Sequence, residues 1–290
     1  MRLAPLLAVL SFACAPPLPD RGAGERPGTF VRVATWNVHD LFDEVDRLSP
    51  PGAGDEVLAP ADVEAKLGRV SAVLARLDAD VVLLQEVEHA GLLASLAGRA
   101  GYPEAWLVEG SDPRGIDVAA LSRLPVLAYR SHLGETDADG GPLWSRDCVE
   151  LHVEAGGRRL VLVGSHLVSR ITDPDGERRA EQAGRMRAIA DEVARARPDV
   201  ALLVGGDLND ELGDPALAPL LADGEYRDAA AGLPPGEAWT WSGDAGRARL
   251  DHLLLAERDA GSLVATHVLG GDDVAAASDH RPLAVDLWLR

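Results

Sequence analysis

Two cysteines in 290 residues leave the chain without a disulfide framework and without the paired spacing of a zinc finger. Lysine is nearly missing as well. Lys66 stands alone and the other basic side chains are arginine, a skew of coding rather than of chemistry. Aromatic residues make up only 4%, and no aromatic hairpin of the kind that enters a bilayer is visible. A basic excess is also missing: 47 acidic residues face 28 basic ones, for a net charge of -19. A protein that grips bulk duplex nucleic acid needs a basic face. The field of this chain repels a polyanion unless arginines and metal ions gather locally. The balance argues against tight non-specific DNA binding and leaves open chemistry at a cation-loaded site.

No apolar run is long enough to stay in a bilayer. Leu3 to Phe12 is apolar apart from Pro5 and Ser11, follows Arg2, and ends at the small residues Ala13, Cys14 and Ala15. This is the pattern of an export signal over residues 1–14. A cysteine directly after such a run is the acceptor of a lipoprotein anchor, although Leu10 sits one place earlier than that motif prefers. The expected location is outside the cytoplasm, either periplasmic and anchored through a lipidated Cys14 or plainly secreted. Residues 15–29, rich in Pro, Gly and mixed charge, read as a flexible tether.

In a chain that is 47% apolar overall, what remains, residues 30–290, is enough for one substantial domain. Val31, Val33 and Thr35 alternate as in a strand ending near Trp36-Asn37. Asp62 is placed to cap a helix with Val63, Leu67, Val70, Leu74 and Leu77 on one face. Val81 to Leu84, Val118 to Leu121, Val126 to Tyr129, Cys148 to Val153, Leu160 to Val163 and Val200 to Val204 read as strands, as do Leu253 to Leu255 and Leu283 to Leu289. Glu177 to Arg197 reads as a helix stopped by Pro198, and Gly134 to Pro142 as a surface loop. The pattern predicts a four-layer α/β sandwich: two facing mixed sheets flanked by helices.

Several apolar strands run straight into reactive residues: Asn37, then Gln85-Glu86, Ser165-His166, and Gly205-Gly206-Asp207-Leu208-Asn209. Asp251 and Ser278-Asp279-His280 precede strands instead. If those last strands run antiparallel to the others, all the clusters meet at one rim, where sites are built. Glu86, Asp207, Asp279, Asn37 and Asn209 offer the hard oxygens that magnesium, manganese or calcium prefer. His166 and His280 offer imidazoles for acid and base work. Asp207 and Asn209, two apart, point to one side if extended. Gly205 and Gly206 would let a phosphate or metal approach the backbone. Each element alone is more often a cap, a turn or a solvated strand end; their joint occurrence in this order is not.

Trp36-Asn37, Gln85-Glu86, Gly206-Asp207-Leu208-Asn209, Leu250-Asp251 and Ser278-Asp279-His280 resemble, in order, the motifs of the endonuclease/exonuclease/phosphatase superfamily of DNase I-like proteins. The resemblance spans about Val31 to Leu289 and is specific for the superfamily, not for substrate. It implies a metal-dependent phosphodiester hydrolase, using magnesium, manganese or calcium. Glu86 would be the principal metal ligand, with Asn37 and Asp279 beside it. Asp207 and Asn209 would handle the scissile phosphate and nucleophile, with or without a second cation. His280 would be the general base, oriented by Asp251. His166 would face the leaving group, as in DNase I-like and sphingomyelinase-like branches and unlike abasic-site endonucleases. Arg146, in Trp144-Ser145-Arg146, resembles an arginine that touches phosphate, and Asp117 is a candidate partner for His166. Trp239-Thr240-Trp241 sits where members place aromatic substrate contacts, though core packing explains it equally well. The other histidines, His39 included, read as structural. The implied substrate is nucleic acid or another phosphodiester met outside the cytoplasm, acted on by a monomer. The alternatives are a phospholipid head-group phosphodiesterase and an inactive surface binding protein.

Overall fold

A computed structural model describes Leu18, residues 28–47 and residues 56–290. The export segment with Cys14, and the tether up to residue 27 apart from Leu18, lie outside the described residues. Among the described residues no helix is long and apolar enough to cross a membrane.

The first sheet has the order β13 (Leu263–Val268), β14 (Leu283–Leu289), β1 (Thr29–Leu41), β2 (Val81–Val87), β4 (Asp117–Ser122), β3 (Glu104–Leu107). The second runs β5 (Val126–Ser131), β6 (Val149–Ala155), β7 (Arg158–His166), β8 (Ala201–Asp207), β12 (Asp251–Ala256), β9 (Tyr226–Asp228). A small hairpin, β10 (Trp241–Gly243) and β11 (Gly246–Ala248), stands apart from both. Helices α1 (Pro60–Leu77), α2 (Ala90–Ala100) and α5 (Asp272–Ala277) accompany the first sheet. Helix α3 (Glu177–Ala196) and the single turn α4 (Ala218–Leu221) accompany the second. This is the predicted sandwich.

Strand alternation builds its layers. Val31, Val33, Val81 and Leu83 pack between the sheets against Leu160, Leu162, Leu203 and Leu253. Their neighbours Ala34, Trp36, Val82 and Leu84 turn outward under α1 and α2. Val161, Val163, Leu202 and Val204 face α3 through Ala183, Met186, Ile189 and Val193. Because both faces of the central strands are covered, they read as continuous apolar runs. The sheets meet closely enough that a Cβ on Gly164 would lie 2.3 Å from Leu83 Cδ2. Truncating an inter-sheet leucine such as Leu83 to alanine removes about 2–5 kcal/mol.

Some boundaries move. β1 begins at Thr29, inside the expected tether, and continues past Asn37 to Leu41. Helix α1 starts at Pro60 with Ala59 as its N-cap, so Asp62 favours the helix dipole from the first turn and does not cap it. Its predicted apolar face is buried as expected.

Directionality is what creates the site. β1 and β2 are parallel, as are β7 and β8. β14 runs antiparallel to β1, and β12 antiparallel to β8. The ends of β1, β2, β7 and β8 therefore share one rim with the starts of β12 and β14.

Candidate active site

Asp207, the last residue of β8, lies at the centre. The β-ladders place His166 opposite it on one side and Asp251 opposite it on the other. Its Oδ2 accepts the amide N–H of Asn37 at 2.8 Å and lies 3.4 Å from His166 Nε2 and 3.8 Å from His280 Nε2. The two imidazoles thus flank one carboxylate oxygen. His280 Nδ1 is 2.7 Å from Asp251 Oδ2, which fixes the ring and turns Nε2 toward Asp207.

Glu86 sits beside this group because β2 bulges. The ladder with β4 slips between Gln85 and Val87, and Glu86 adopts φ 65. A bulge re-aims a side chain out of the sheet alternation. Glu86 Oε1 accepts from Asn37 Nδ2 at 3.1 Å and Oε2 from the Asp40 N–H at 3.0 Å. The Asn37 amide therefore bridges Glu86 and Asp207, while its Oδ1 accepts the His39 N–H at 2.9 Å. His39 and Asp40 are also left-handed, at φ 52 and 57, and so is Asn209 at φ 53. Each such non-glycine residue costs on the order of 1–3 kcal/mol. Four of the six among the described residues gather here, a concentration of strain at the rim.

Lys66 holds the rim together. From α1 its Nζ donates to the carbonyls of His39 and Ala277, 2.6 Å to each. Ser278 Oγ donates to Asn37 O at 2.7 Å and accepts the His280 N–H at 2.9 Å, and Trp36 Nε1 donates to His280 O at 3.1 Å. The end of β1 and the start of β14 are thus one bonded unit.

The charges are tuned by burial and by partners. Burial pulls the His280 pKa down, but Asp251 and Asp207 outweigh it and raise it to about 10. Burial lowers His166 well below its usual value, and the Arg146 guanidinium lowers it further. Burial raises Asp207 to about 7, against the pull of His280. Asp40 rises to about 6 through burial and the neighbouring Glu86. Burial pushes Glu86 upward too, yet its partners hold it below the usual carboxylate range. A protonated His166 would help hold Glu86 down, but that ring is neutral, so Asn37, Asp40 and Arg114 carry the shift.

Of the expected metal ligands, Glu86 and Asp207 meet through Asn37. Asn37 presents its amide N–H to both carboxylates, with its Oδ1 turned to the His39 N–H. Asp279 stands further out, with Oδ1 3.3 Å from His39 Nδ1 and Oδ2 accepting from Trp241 Nε1 at 2.9 Å. The ligand atoms of His39, Asp40 and Glu86 lie within 4.8 Å of one another, as do those of Asp207, Asp251 and His280. The first group fits a divalent cation: Glu86 is ionised, and burial and the Glu86 charge raise Asp40 to about 6, a repulsion between two carboxylates that a cation would relieve. In the second, Asp251 Oδ1 is buried without a partner.

Several expectations are corrected. Asn209 does not extend beside Asp207. The chain turns, its N–H returns to Asp207 Oδ1 at 3.0 Å, and its amide donates to Leu167 O at 2.9 Å. Gly205 and Gly206 make room for neighbouring strands and not for a ligand: a Cβ would lie 2.0 Å from His252 O or from Ser165 O. Asp117 does not reach His166. Its Oδ1 accepts the Gly110 N–H at 2.8 Å, and burial among Glu109, Asp112 and Asp147 raises it to about 7. The group behind His166 is Arg146, with Nη1 3.0 and 3.1 Å from the two ring nitrogens and Nε 3.4 Å from Asp112. Thr240 is buried, accepting the Leu250 and Asp251 N–H groups at 3.0 Å each.

His39, Asp40, Lys66 and Arg114 are site residues that the sequence did not single out; Arg114 pairs with Asp40 and lies 3.8 Å from Glu86. His252 is structural, as expected: it is fully buried, with Nε2 2.9 Å from Asp210 O.

The family model described as the Endonuclease/Exonuclease/phosphatase family matches residues 34–280. No curated protein matches the chain. Among solved structures, TDP2 from C. elegans is 20% identical with a TM-score of 0.67, covering 91% of this chain and 77% of its own. D. rerio TDP2 complexed with a single strand DNA product is 20% identical with a TM-score of 0.64, covering 89% and 98%. The endonuclease/exonuclease/phosphatase from Beutenbergia cavernae is 24% identical with a TM-score of 0.65, covering 90% and 72%.

Proposed function

Since the chain belongs to the endonuclease/exonuclease/phosphatase family, whose members are metal-dependent phosphoesterases, we propose that it is an exported phosphodiesterase acting on nucleic acid. The observation that carries this reading is the pair His166 and His280, 3.4 and 3.8 Å from the same oxygen of Asp207. In-line hydrolysis of a diester with an alkoxide leaving group needs help on both faces of the phosphorus, at the entering water and at the departing oxygen. A phosphomonoester needs less help at the second.

Glu86 and Asp40 would hold the cation, magnesium, manganese or calcium, which when bound supplies positive charge to the phosphoryl oxygens. His280, its ring fixed by Asp251, takes the proton of the attacking water at Nε2. In the free protein its carboxylate neighbours keep that nitrogen protonated. The charge of a cation held by Glu86 and Asp40 would oppose that protonation, leaving His280 Nε2 to accept the proton of the water. His166, kept neutral by burial and Arg146, donates a hydrogen bond from its one N–H to the leaving oxygen, whose proton comes from water. Arg146 and Asn37 add fixed donors around the same space.

A nucleic-acid substrate is favoured over a lipid because aromatic residues make up only 4% of the chain. The exposed apolar side chains beyond the rim ends of the strands are scattered aliphatic ones, Val45 after β1, Val108 after β3 and Ile171 after β7, among the described residues. D. rerio TDP2, captured with a single strand DNA product, sets a precedent for this fold. A surface protein that had lost activity would have no need of both histidines, Glu86 and Asp207 together.

The test is hydrolysis with added divalent cation. Plasmid DNA and bis(p-nitrophenyl) phosphate should be cleaved and p-nitrophenyl phosphate hardly at all. His166→Ala should slow DNA cleavage by about 10²-fold or more and nitrophenyl diester cleavage far less, because nitrophenolate leaves without a proton. Turnover of monoesters with no action on any diester would sink the reading, and sphingomyelin hydrolysis without DNA cleavage would replace it with the lipid alternative. Export through a lipidated Cys14 is tested by clickable palmitate, with Cys14→Ala expected to abolish labelling. Unlabelled wild-type protein in the medium would mean plain secretion.

A further inference from the structure

The carboxylates of Asp40 and Glu86 already have a positive partner. Arg114 Nη2 pairs with Asp40 and lies 3.8 Å from Glu86 Oε2. One guanidinium thus faces both carboxylates of the group whose ligand atoms, with those of His39, lie within 4.8 Å of one another. Burial and the Glu86 charge raise Asp40, and Arg114 opposes that rise. On Glu86 it is one of the partners that hold the carboxyl low. Part of the charge that a cation would neutralise is met by a side chain of the protein.

Arg114 comes from the loop between β3 and β4, and the backbone of that loop is fixed without its side chain. The Gly110 N–H donates to Asp117 Oδ1 and the Ser111 N–H to Ser145 O, each at 2.8 Å. The tip is a tight turn in which Asp112 O accepts the Gly115 N–H and Asp112 Oδ1 the Arg114 N–H, both at 2.9 Å, with Gly115 at φ 70. The Arg114 side chain is 47% exposed, so it can leave the carboxylates by rotation alone while the turn stays in place. An exposed ion pair is weak and screened by salt. A cation of twice the charge, held directly by both carboxylates, displaces it. The same guanidinium also acts on the other half of the site. Burial is the main cause that lowers His166 and Arg146, and the Arg114 charge lowers both further. Arg114 is therefore within electrostatic reach of the space that His166 and Arg146 border.

We propose that Arg114 is a stand-in for the cation: it neutralises Asp40 and Glu86 until a divalent cation displaces it, and the freed guanidinium then binds the phosphoryl oxygens of the substrate. This rests on the reading that Glu86 and Asp40 hold the cation, and it makes cation loading the event that frees a phosphate-binding arginine. Guanidinium forks suit phosphate oxygens. The exchange never leaves the two carboxylates facing each other bare, and it delivers an extra positive charge to the site only once the cation is in place. In a chain of net charge -19, attraction for a polyanion is thereby concentrated on the cation-loaded form.

Three measurements on the full chain test the exchange, at pH 8.5 so that a proton on Asp40, raised to about 6, competes little with the metal. In calorimetry with magnesium alone, Arg114→Gln should bind about fivefold more tightly than the wild type, Arg114→Lys should fall between, and Glu86→Gln should bind far more weakly. Phenylglyoxal labelling read by peptide mass spectrometry should modify Arg114 several-fold faster in magnesium than in chelator. The exposed Arg158, which has no ion pair among the described residues, should react at one rate in both. At saturating magnesium, Arg114→Gln should lose about tenfold in kcat/KM on a diester, mainly through KM, in spite of its tighter cation. An arginine that only supports the fold would weaken both together. Magnesium binding that is unchanged or weaker in Arg114→Gln, or equal labelling of Arg114 in both conditions, overturns the exchange, and the cation reading survives if Glu86→Gln still loses magnesium. Magnesium binding untouched by Glu86→Gln overturns both. Wild-type kcat/KM in Arg114→Gln overturns the phosphate role. If binding and labelling behave as expected and no diester is cleaved by the wild type, the phosphodiesterase reading fails and the exchange stands.

Discussion

The molecule buries two sets of charges, and they are built on opposite plans. In the sheet interior, away from the rim, Arg32 of β1 faces Asp286 directly across the ladder to β14. The pair is bidentate at 2.6 and 3.0 Å, Arg32 also donates to Leu77 O at 3.2 Å, and His267 Nε2 lies 3.0 Å from the second Asp286 oxygen. At the rim, Asp207 faces Asp251 across a ladder of the same kind. There two carboxylates and two histidines share too few good bonds, Asp251 Oδ1 has no partner, and left-handed residues surround the group. The first cluster satisfies its charges and serves the fold. The second leaves them unsettled, and an incoming cation and phosphate would complete it. Burial alone does not separate the two, since Arg32, Asp207 and Asp251 are all at most 1% exposed. What separates them is whether the opposing charge is already present.

The contrast can be broken at several points. Asp207→Asn should lower diester hydrolysis by about 10³-fold or more, because it removes the group between both imidazoles. It should not lower the unfolding midpoint, since burial makes the ionised Asp207 unfavourable. A clear loss of stability in Asp207→Asn would put this residue with the structural cluster. Asp286→Ala should do the reverse, costing about 3–5 kcal/mol in denaturant unfolding by removing the carboxylate that faces the buried Arg32, with kcat changed less than about twofold in whatever fraction stays folded.

Cation binding offers a gentler test. Millimolar magnesium or manganese should raise the stability of the wild type by about 1–3 kcal/mol through mass action on the folded state. Glu86→Gln should lose most of that gain and Asp286→Asn should keep it. Equal gains in the wild type and Glu86→Gln would remove Glu86 from the ligand set.

The smallest effect is on pH dependence. Arg32 and His267 oppose the upward push of burial and hold Asp286 down to about 2. An acid with a depressed folded pKa contributes stability that is full above its unfolded value, near 4, and lost as pH falls through about 2. The acid limb of unfolding between those values should be shallower in Asp286→Asn than in the wild type, and indistinguishable limbs would show that the pair contributes nothing there.

The rim was legible in the sequence because apolar strands announce their own ends. Val81 to Leu84 and Val200 to Val204 point to Glu86 and Asp207, and the antiparallel return of β12 and β14 needs only their alternation. What escaped depends on backbone direction or on distant neighbours. His39 and Asp40 reach the site through left-handed turns that no side-chain pattern signals. Asn209 leaves the extended path for the same reason. Gly205 and Gly206 are explained by carbonyls of adjacent strands, and the group behind His166 proved to be Arg146 where Asp117 was expected. Strands β3, β9, β10, β11 and β13 are short or lie at edges where periodicity is weak. Helix α2 is capped by His89, whose Nδ1 accepts from Gly91 and Leu92, a residue outside the usual capping set.

The clamp made by Lys66 has a consequence for handling the molecule. The chain's single lysine is buried, with its ammonium spent on two carbonyls of the rim. Beyond the N-terminus, the folded surface therefore offers amine-directed reagents almost nothing to couple to. Acylation of Lys66 would instead register moments when β1 and the start of β14 part, turning an ordinary labelling reaction into a clock for opening of the rim.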